Sequence, residues 1–429
     1  MANSLRLGIA GLGTVGVGVV RIVQRHAAVL AARTGREITI SAVSARSRDK
    51  NRGVRLGDYA WEDDPVALAT RDDVDVFVEL IGGEDGPAKD AVEAAIAAGK
   101  HVVTANKALL AIHGQELAEA AEAAGVTLRF EAAVAGGIPV IKALTEGLAG
   151  NEITRVMGVM NGTCNYILTR MQSAGLSYEA VFKECEELGY LEADPTLDVG
   201  GIDAGHKLAL LTSIAFGTRI DYDALTIEGI ERITIEDIEQ AADMGYRIKL
   251  LGVAQMSGRG LEARMTPCLV PDASPLGQLE GPTNMVVLEG DSVGQIVLRG
   301  AGAGEGPTAS AVMGDVCDIA RGGITLPVFG TPATDLKPAV KSNQDTPSAY
   351  YIRMELFDKP GALARIASVM GDAGISIDRM RQYSHESANA PVLIVTHKTA
   401  KDALDAAIRA MPATGVLASD PVALRIEAA

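Results

Sequence analysis

The chain has few cysteines, no excess of positive charge and no long uninterrupted apolar run, and each absence narrows what it can be. Its four cysteines (Cys164, Cys185, Cys268 and Cys317) form neither a CxxC pair nor a zinc-ligand spacing. They read as reduced thiols of a cytoplasmic protein, and even Cys164, inside a motif described below, reads as a small buried hydrophobe. Lys and Arg number 39 against 55 Asp and Glu, a net charge of −16. That balance argues against a nucleic-acid partner, because phosphate binding needs a basic surface. No apolar run reaches the roughly 18 residues needed to span a bilayer, so no membrane partner is expected. The opening MANSLRLGIAGLG lacks a basic segment, apolar stretch and cleavage site, and reads instead as a first strand.

What is present is a globular composition, 48% hydrophobic and 22% charged, in 429 residues, a length that calls for two or three domains. A strand at 5–10 meets Gly11-Leu-Gly13-Thr14-Val15-Gly16, and a helix then runs to about Arg33, stopped by Gly35. Further strands at 38–43, 74–81, 101–104 and 127–132 alternate with helices at 89–98 and 109–124, stopped by Gly99 and Gly125. This predicts an α/β, doubly wound parallel sheet, a Rossmann domain over residues 1–133. Residues 134–330 mix long helices with strands at 248–255, 261–270, 285–288 and 292–298, an α+β region. Thr234, three residues before Asp237, is a fair N-cap there. The last helix of that region, about 308–322, is expected to pack back on the first sheet. Residues 331–348, rich in Pro, Thr, Ser and Asp, read as a linker. Residues 349–429 follow a β-α-β-β-α-β order, the ferredoxin-like plan.

A glycine fingerprint after a strand and at the start of a helix has a mechanical sense. Gly11 permits the tight turn, Gly13 lets a pyrophosphate approach the backbone, and Gly16 lets the helix pack on the strand. The helix N-terminus favours phosphate charge. A glycine-rich turn without a ligand is the bland alternative. Where an acid would hold a ribose 2′-OH, the chain has Ser44-Ala-Arg46-Ser-Arg48, with no acid until Asp49. Two arginines suit a 2′-phosphate, favouring NADP over NAD, but the same residues can be a solvated loop.

The stretch from Gly189 to Lys207 carries Glu192, Asp198 and Asp203. Asp203 and Lys207 share a helix face at i, i+4, ahead of the apolar Leu208, Leu210, Leu211 and Ile214. A lysine orientated by carboxylates suits a proton donor. An exposed Asp–Lys pair is the plainer alternative. His206, about 100° round the helix from Lys207, reads as packing. Thr104-Ala-Asn106-Lys107 closes a strand at the edge where ligands sit in such sheets. Asn161-Gly-Thr163 opens a helix and can present a hydroxyl and backbone N–H groups to a carboxylate.

These motifs, with Val78-Glu-Leu-Ile-Gly-Gly83, Glu131-Ala-Ala-Val134-Ala-Gly136-Gly-Ile138-Pro139 and Gly300-Ala-Gly-Ala-Gly304, resemble the homoserine dehydrogenase family over about residues 5–325. Residues 349–429 resemble an ACT domain, with Asp358-Lys-Pro-Gly361-Ala-Leu363 as its first turn. The resemblance implies reversible reduction of L-aspartate 4-semialdehyde to L-homoserine by NAD(P)H, in threonine, methionine and isoleucine biosynthesis. It makes Lys207 the acid/base and Lys107 a second lysine near the carbonyl and nicotinamide. Glu192, Asp203 and Asp198 become substrate-binding acids, with Thr163 and Gly189 beside them. Glu131, Val134, Gly136 and Ile138 match a monovalent-cation site, for sodium, and Gly304 and Thr104 lie near the cofactor. It further implies an amino-acid effector, L-threonine, and a homodimer or homotetramer assembled through the middle domain. Two other readings stand beside it. One is a different NAD(P)-dependent amino-aldehyde or hydroxy-acid dehydrogenase; the other is a non-enzymatic nucleotide and amino-acid sensor. A phosphorylating semialdehyde dehydrogenase would need a cysteine–histidine pair, and Cys164 has no evident partner.

Overall fold

In the computed structural model, which describes residues 4–191, 194–322, 326–342, 345–382 and 389–428, glycine punctuation and strand–helix alternation shape the N-terminal region. Its elements are β1 (Leu5–Ala10), α1 (Thr14–Thr34), β2 (Ile38–Ser44), β3 (Ala60–Glu62), α2 (Pro65–Ala69), β4 (Val76–Glu79), α3 (Pro87–Ala97), β5 (His101–Thr104), α4 (Lys107–Ala124), β6 (Leu128–Arg129) and α5 (Glu131–Val134). The strands form a parallel sheet in the order β3-β2-β1-β4-β5-β6. Helices cover both faces, so consecutive strand residues such as Phe77 and Val78, or Val102 and Val103, are all buried. Gly35 and Gly125, in the left-handed conformation, end α1 and α4. The strand expected at 127–132 stops after two residues. The carboxylate of Asp315 accepts the backbone N–H of Glu131 at 2.8 Å and draws the chain out of the ladder into α5.

The middle region contains α6 (Val140–Lys142), β7 (Ile153–Val159), α7 (Gly162–Ala174), α8 (Tyr178–Leu188), α9 (Thr196–Val199), α10 (Ile202–Phe216), β8 (Thr226–Ile227), α11 (Ile235–Asp243), β9 (Tyr246–Ser257), β10 (Gly260–Pro271), β11 (Thr283–Gly290), β12 (Gly294–Ala301) and α12 (Glu305–Arg321). An antiparallel sheet runs β12-β11-β7-β9-β10, and Leu208 and Leu211 of α10 share its core with Val156 and Ala254. Thr234 and Asp237 form a reciprocal capping box at the start of α11. The chain then returns to the first sheet: Ala309, Val312, Met313 and Val316 of α12 share a core with Val19, Val20 and Val23 of α1. A Cβ on Gly18 would fall 2.9 Å from that of Ala309, so glycine lets these helices touch. At 21 residues, α1 is by length and composition apolar enough to cross a membrane, against the expectation from apolar runs. Its apolar residues are partly committed to this core.

The described residues of 331–348 form no regular strand or α-helix, but they lie bound along the middle region. Lys337 and Val340 carbonyls accept from Arg219 and Leu261 at 2.9 and 2.8 Å, and Ala333 and Leu336 are buried. The C-terminal unit comprises β13 (Ala349–Phe357), α13 (Ala362–Asp372), β14 (Ile377–Gln382), β15 (Asn389–Thr396), α14 (Lys401–Ala410) and β16 (Val422–Ile426). Its strands lie in the ferredoxin-like order β16-β13-β15-β14. Its sheet is not separate from the middle one. β16 pairs in parallel with β10, Cys268 opposite Arg425 and Leu269 opposite Ile426. Tyr351 is wholly buried in the core shared with the middle region, and Arg353 pairs with the buried Asp237.

Candidate active site

The fingerprint glycines differ in what they are for. A Cβ on Gly11 (φ +97) would fall 2.2 Å from the Leu80 carbonyl oxygen, and one on Gly16 would fall 1.9 Å from that of Gly11. Gly16 therefore serves the turn's own closure, a tighter reason than helix–strand packing. Nothing lies within 4 Å of a Cβ on Gly13, which faces open space. That space is a cleft of about 880 Å³ lined by Gly11, Gly13, Ser44, Arg46, Lys50 and Arg52. Arg48 lies with its guanidinium 5.9 Å from the centre of the Trp61 ring. Sequence reasoning missed Arg52, which is fixed by the carbonyls of Leu12 (3.1 Å), Lys50 (3.0 Å) and Ser47 (2.6 Å). The basic run after Arg46 was the only signal for it.

Where the N-terminal and middle regions meet, a second cleft of about 730 Å³ gathers Thr14, Val15, Lys107, Thr163, Gly189, Asp198, Asp203, Lys207 and Gly304. One helical turn separates Asp203 from Lys207 on α10, and Lys207 Nζ donates to Asp203 Oδ2 at 2.6 Å and to the Met160 carbonyl at 2.9 Å. Lys107, first residue of α4, brings its Nζ to 2.8 Å from the other oxygen, Asp203 Oδ1. Asn106 places it by capping α4 through Leu109 N–H and donating to the Gly83 carbonyl. Burial alone would raise the Asp203 carboxyl, but the Lys207 and Lys107 ammoniums hold it well below the usual carboxylate range. Asp203 and Lys207 are both buried, so this is no exposed decoration of a helix.

Asn161 ties the cluster together. Its Oδ1 accepts Cys164 N–H at the head of α7, while Nδ2 donates to Asp198 at 2.8 Å and Asp203 at 3.2 Å. An Asn-Gly-Thr after an apolar strand is its sequence signal, a helix opening that offers a hydroxyl and backbone N–H groups; the pairing of the Asn161 amide with two carboxylates comes only with the fold. Thr163 donates its hydroxyl to the Tyr190 carbonyl at 3.2 Å, beside Gly189, the left-handed cap of α8. Burial and then Asp198 and Asp203 push the Cys164 thiol far up, which removes it as a nucleophile. His206 packs its ring 4.4 Å from Tyr222 and lines a neighbouring cavity with Lys107 and Asp203. Glu192 lies outside the described residues.

Thr104 does not line either cleft. It is fully buried, donates to Glu79, and accepts Asn106 N–H at 2.9 Å, so its hydroxyl shapes the strand ends. Glu131 is also buried, and its carboxylate accepts Ile141 and Lys142 N–H, each at 2.9 Å. Burial pushes this carboxyl up to about 7. Val134 and Ile138 are buried nearby, and Gly136 (φ +56) must be glycine because a Cβ would fall 2.3 Å from the Gly302 carbonyl oxygen. Among the described residues no three His, Cys, Asp or Glu side chains are grouped to hold a metal. A cation at Glu131 would therefore take one carboxylate and backbone carbonyls. Sharing no residue with either cleft, the turn before α13 borders a cavity of about 280 Å³ lined by Phe357, Asp358, Lys359, Gly361, Gln382 and Ala390.

Three family models match the chain: homoserine dehydrogenase, NAD binding domain, over residues 11–131; homoserine dehydrogenase over 139–317; and ACT domain over 350–411. A homoserine dehydrogenase of Neisseria gonorrhoeae is 42% identical over 430 residues, spanning 99% of this chain and 98% of that protein. The crystal structure of a homoserine dehydrogenase from Thiobacillus denitrificans, 40% identical, superposes with a TM-score of 0.94 over 99% of each chain. A hyperthermophilic archaeal homoserine dehydrogenase in complex with NADPH, 26% identical, superposes with a TM-score of 0.62 over 73% of this chain and 96% of that one.

Proposed function

Since the chain belongs to the homoserine dehydrogenase family, NAD(P)-dependent oxidoreductases, we propose that its second cleft reversibly reduces L-aspartate 4-semialdehyde to L-homoserine, with NADPH preferred over NADH. The observation that carries this reading is the Asp203 carboxylate shared by Lys107 and Lys207 beside the cofactor cleft. Bound nicotinamide supplies or accepts the hydride. Lys207 Nζ gives a proton to the carbonyl oxygen during reduction and takes it back during oxidation. Asp203 holds Lys207 pointed at the reacting carbonyl, and Lys107 stabilises charge on the same oxygen. Asp203 already faces two lysines, which leaves Asp198 and Glu192 to offset the substrate ammonium. Thr163 and Gly189 border its carboxylate end. Gly11, Gly13, Thr14, Val15, Gly16 and Gly304 seat the dinucleotide, and Arg46 with Arg52 meets a 2′-phosphate. The NADPH bound by the archaeal relative supports that preference.

Initial rates of homoserine, malate and lactate oxidation test the assignment. Homoserine should be favoured by roughly 100-fold or more, since a site built for the ammonium rejects substrates lacking it. Comparable rates would overturn the reading. Sodium at Glu131, with the carbonyls of Val134, Gly136 and Ile138, is the proposed cation site; its cation would offset a carboxylate that burial disfavours. A higher melting midpoint in sodium chloride than in choline chloride, absent in Glu131→Gln, is the expected result. The C-terminal unit is read as a sensor that binds L-threonine at the Gly361 turn between two copies, in a homodimer or homotetramer. The enzyme would then serve threonine, methionine and isoleucine synthesis in the cytoplasm, a compartment that suits four buried free thiols.

A further inference from the structure

Residues 78–83 run from a strand into a glycine turn, and the one charged residue among them sits where charge is least welcome. Glu79 ends β4, a strand buried along its whole length, and is itself 0% exposed. A carboxylate is costly in a dry interior unless donors surround it. Three do so here. Its Oε1 accepts the backbone N–H groups of Ile81 at 2.7 Å and Gly82 at 3.0 Å. Its Oε2 accepts the hydroxyl of Thr104, the residue opposite it on β5. A carboxylate suits all three, having two acceptor oxygens and no proton to place.

The two oxygens serve different ends. Oε1 holds residues 80–83, which line the dinucleotide cleft. Ile81 is 41% exposed and the two glycines carry no side chain, so this loop has little packing of its own to fix it. Oε2 leads towards the reaction cleft. The Thr104 hydroxyl that donates to it accepts Asn106 N–H at 2.9 Å, and Asn106 caps α4, whose first residue is Lys107. The Asn106 amide closes the circuit by donating to the Gly83 carbonyl at 2.7 Å. We propose that Glu79 is a positioning residue of the reaction, setting the cofactor loop with one oxygen and the aim of Lys107 with the other. It lines neither cleft and acts only through that loop and that lysine. The role of Lys107 in it rests on the dehydrogenase reading above. A misplacement of about 1 Å in such an arrangement costs on the order of 100-fold in rate.

Fluorescence titration of NADPH and steady-state oxidation of homoserine separate the two arms in the full chain. Thr104→Val removes the hydroxyl alone, so kcat should fall about tenfold or more while the Kd for NADPH stays within about twofold. Thr104→Ser keeps the hydroxyl and should recover most of that loss. In a Lys107→Ala background, Thr104→Val should cost less than about twofold further, because its effect passes through that lysine; a general loosening of the fold would add in full. Glu79→Ala releases both arms, and should raise the Kd for NADPH about tenfold as well as lower kcat. Its melting midpoint shows whether it folds, and where it does not, the Thr104 series decides alone. Turnover of Thr104→Val within twofold of wild type, a full further loss on top of Lys107→Ala, or a folded Glu79→Ala with unchanged NADPH affinity each overturns the proposal. The titration uses no substrate, so a wild type inactive on homoserine would sink the dehydrogenase reading and still leave the hold of Glu79 on the cofactor loop decided.

Discussion

Lys207 and Lys107 reach opposite oxygens of one carboxylate, yet their surroundings differ: the Lys207 side chain is 10% exposed and that of Lys107 is 29%. The deeper lysine, anchored additionally on the Met160 carbonyl, is the better-placed proton donor. Lys207→Ala should cut kcat by about 10²–10⁴-fold while the Kd for NADPH stays within a few-fold. A variant that keeps more than half of wild-type turnover would remove the role. The Asp203–Lys207 spacing was readable along one helix, but the approach of Lys107 needed two domains to meet. The arginines after the second strand show the reverse limit, since Arg46 and Arg48 look equivalent as text. With Arg48 beside Trp61 and Arg46 on the cleft, Arg46→Ala should weaken NADPH about tenfold or more, as loss of a charge-assisted contact does. NADH binding should change little, and Arg48→Ala should have the smaller effect on both. Fluorescence titration of each cofactor decides it, and equal losses for NADPH and NADH would return Arg46 to the solvated surface.

Elements were legible where their signals were local. Gly35 and Gly125 end their helices as a left-handed cap should, and Thr234 with Asp237 boxes the start of α11. The strand expected at 127–132 failed for a non-local reason, the Asp315 carboxylate on a helix far along the chain. Strand β9 holds another feature that its own pattern hides. Lys249 is buried, donating to Asn165 at 2.9 Å and to the Leu279 carbonyl. Burial, with Arg247 adding to it and Glu280 opposing, brings its ammonium down from 10.5 to about 8. Between those values the unfolded chain holds a proton that the folded chain has released, so stability from this residue grows as pH rises from about 8 towards 10.5 and is lost as pH falls through 8. Lys249→Met should flatten that rise, measured as the difference in urea midpoint between pH 7.5 and pH 9.5. An unchanged pH slope would mean that Lys249 stays protonated inside the fold.

At the scale of the molecule, composition drew a boundary at 331–348 where the structure has a seam. The Pro-rich stretch carries no periodicity, and nothing in it announces that Thr346 is gripped by Glu262 or that β16 extends the sheet of the middle region. A chain ending at Pro347 would bare the edge of β10, empty the site of Tyr351 and leave the buried Asp237 without Arg353. Loss of one partner from such a buried pair costs about 3–5 kcal/mol. The shortened chain should therefore melt well below the full one or aggregate, read by light scattering and calorimetry; a monodisperse product with an unchanged midpoint would contradict the continuity of the sheet. Threonine sensing is consequently better probed in the full chain. Gly361 sits at φ +84 with nothing within 4 Å of a Cβ, so Gly361→Ala adds a methyl and backbone strain to the turn alone. It should relieve L-threonine inhibition of homoserine oxidation at unchanged kcat, and undiminished inhibition would falsify a sensor at that turn.

The pairing of β10 with β16 also sets a timetable. β10 ends at Pro271 and its partner begins at Val422, almost at the end of the chain. Strand β8 pairs with Arg264 and Met265 of that edge, but at the pace of translation, roughly 5–20 residues per second, the stretch at Cys268 and Leu269 waits on the order of ten seconds for its partner. An open edge of that kind invites a neighbouring nascent chain. The strand that closes it, β16, follows only after the whole of the arm and the other C-terminal elements, so a chain stalled or clipped before Val422 is left with a sticky flank on a middle region that is otherwise built.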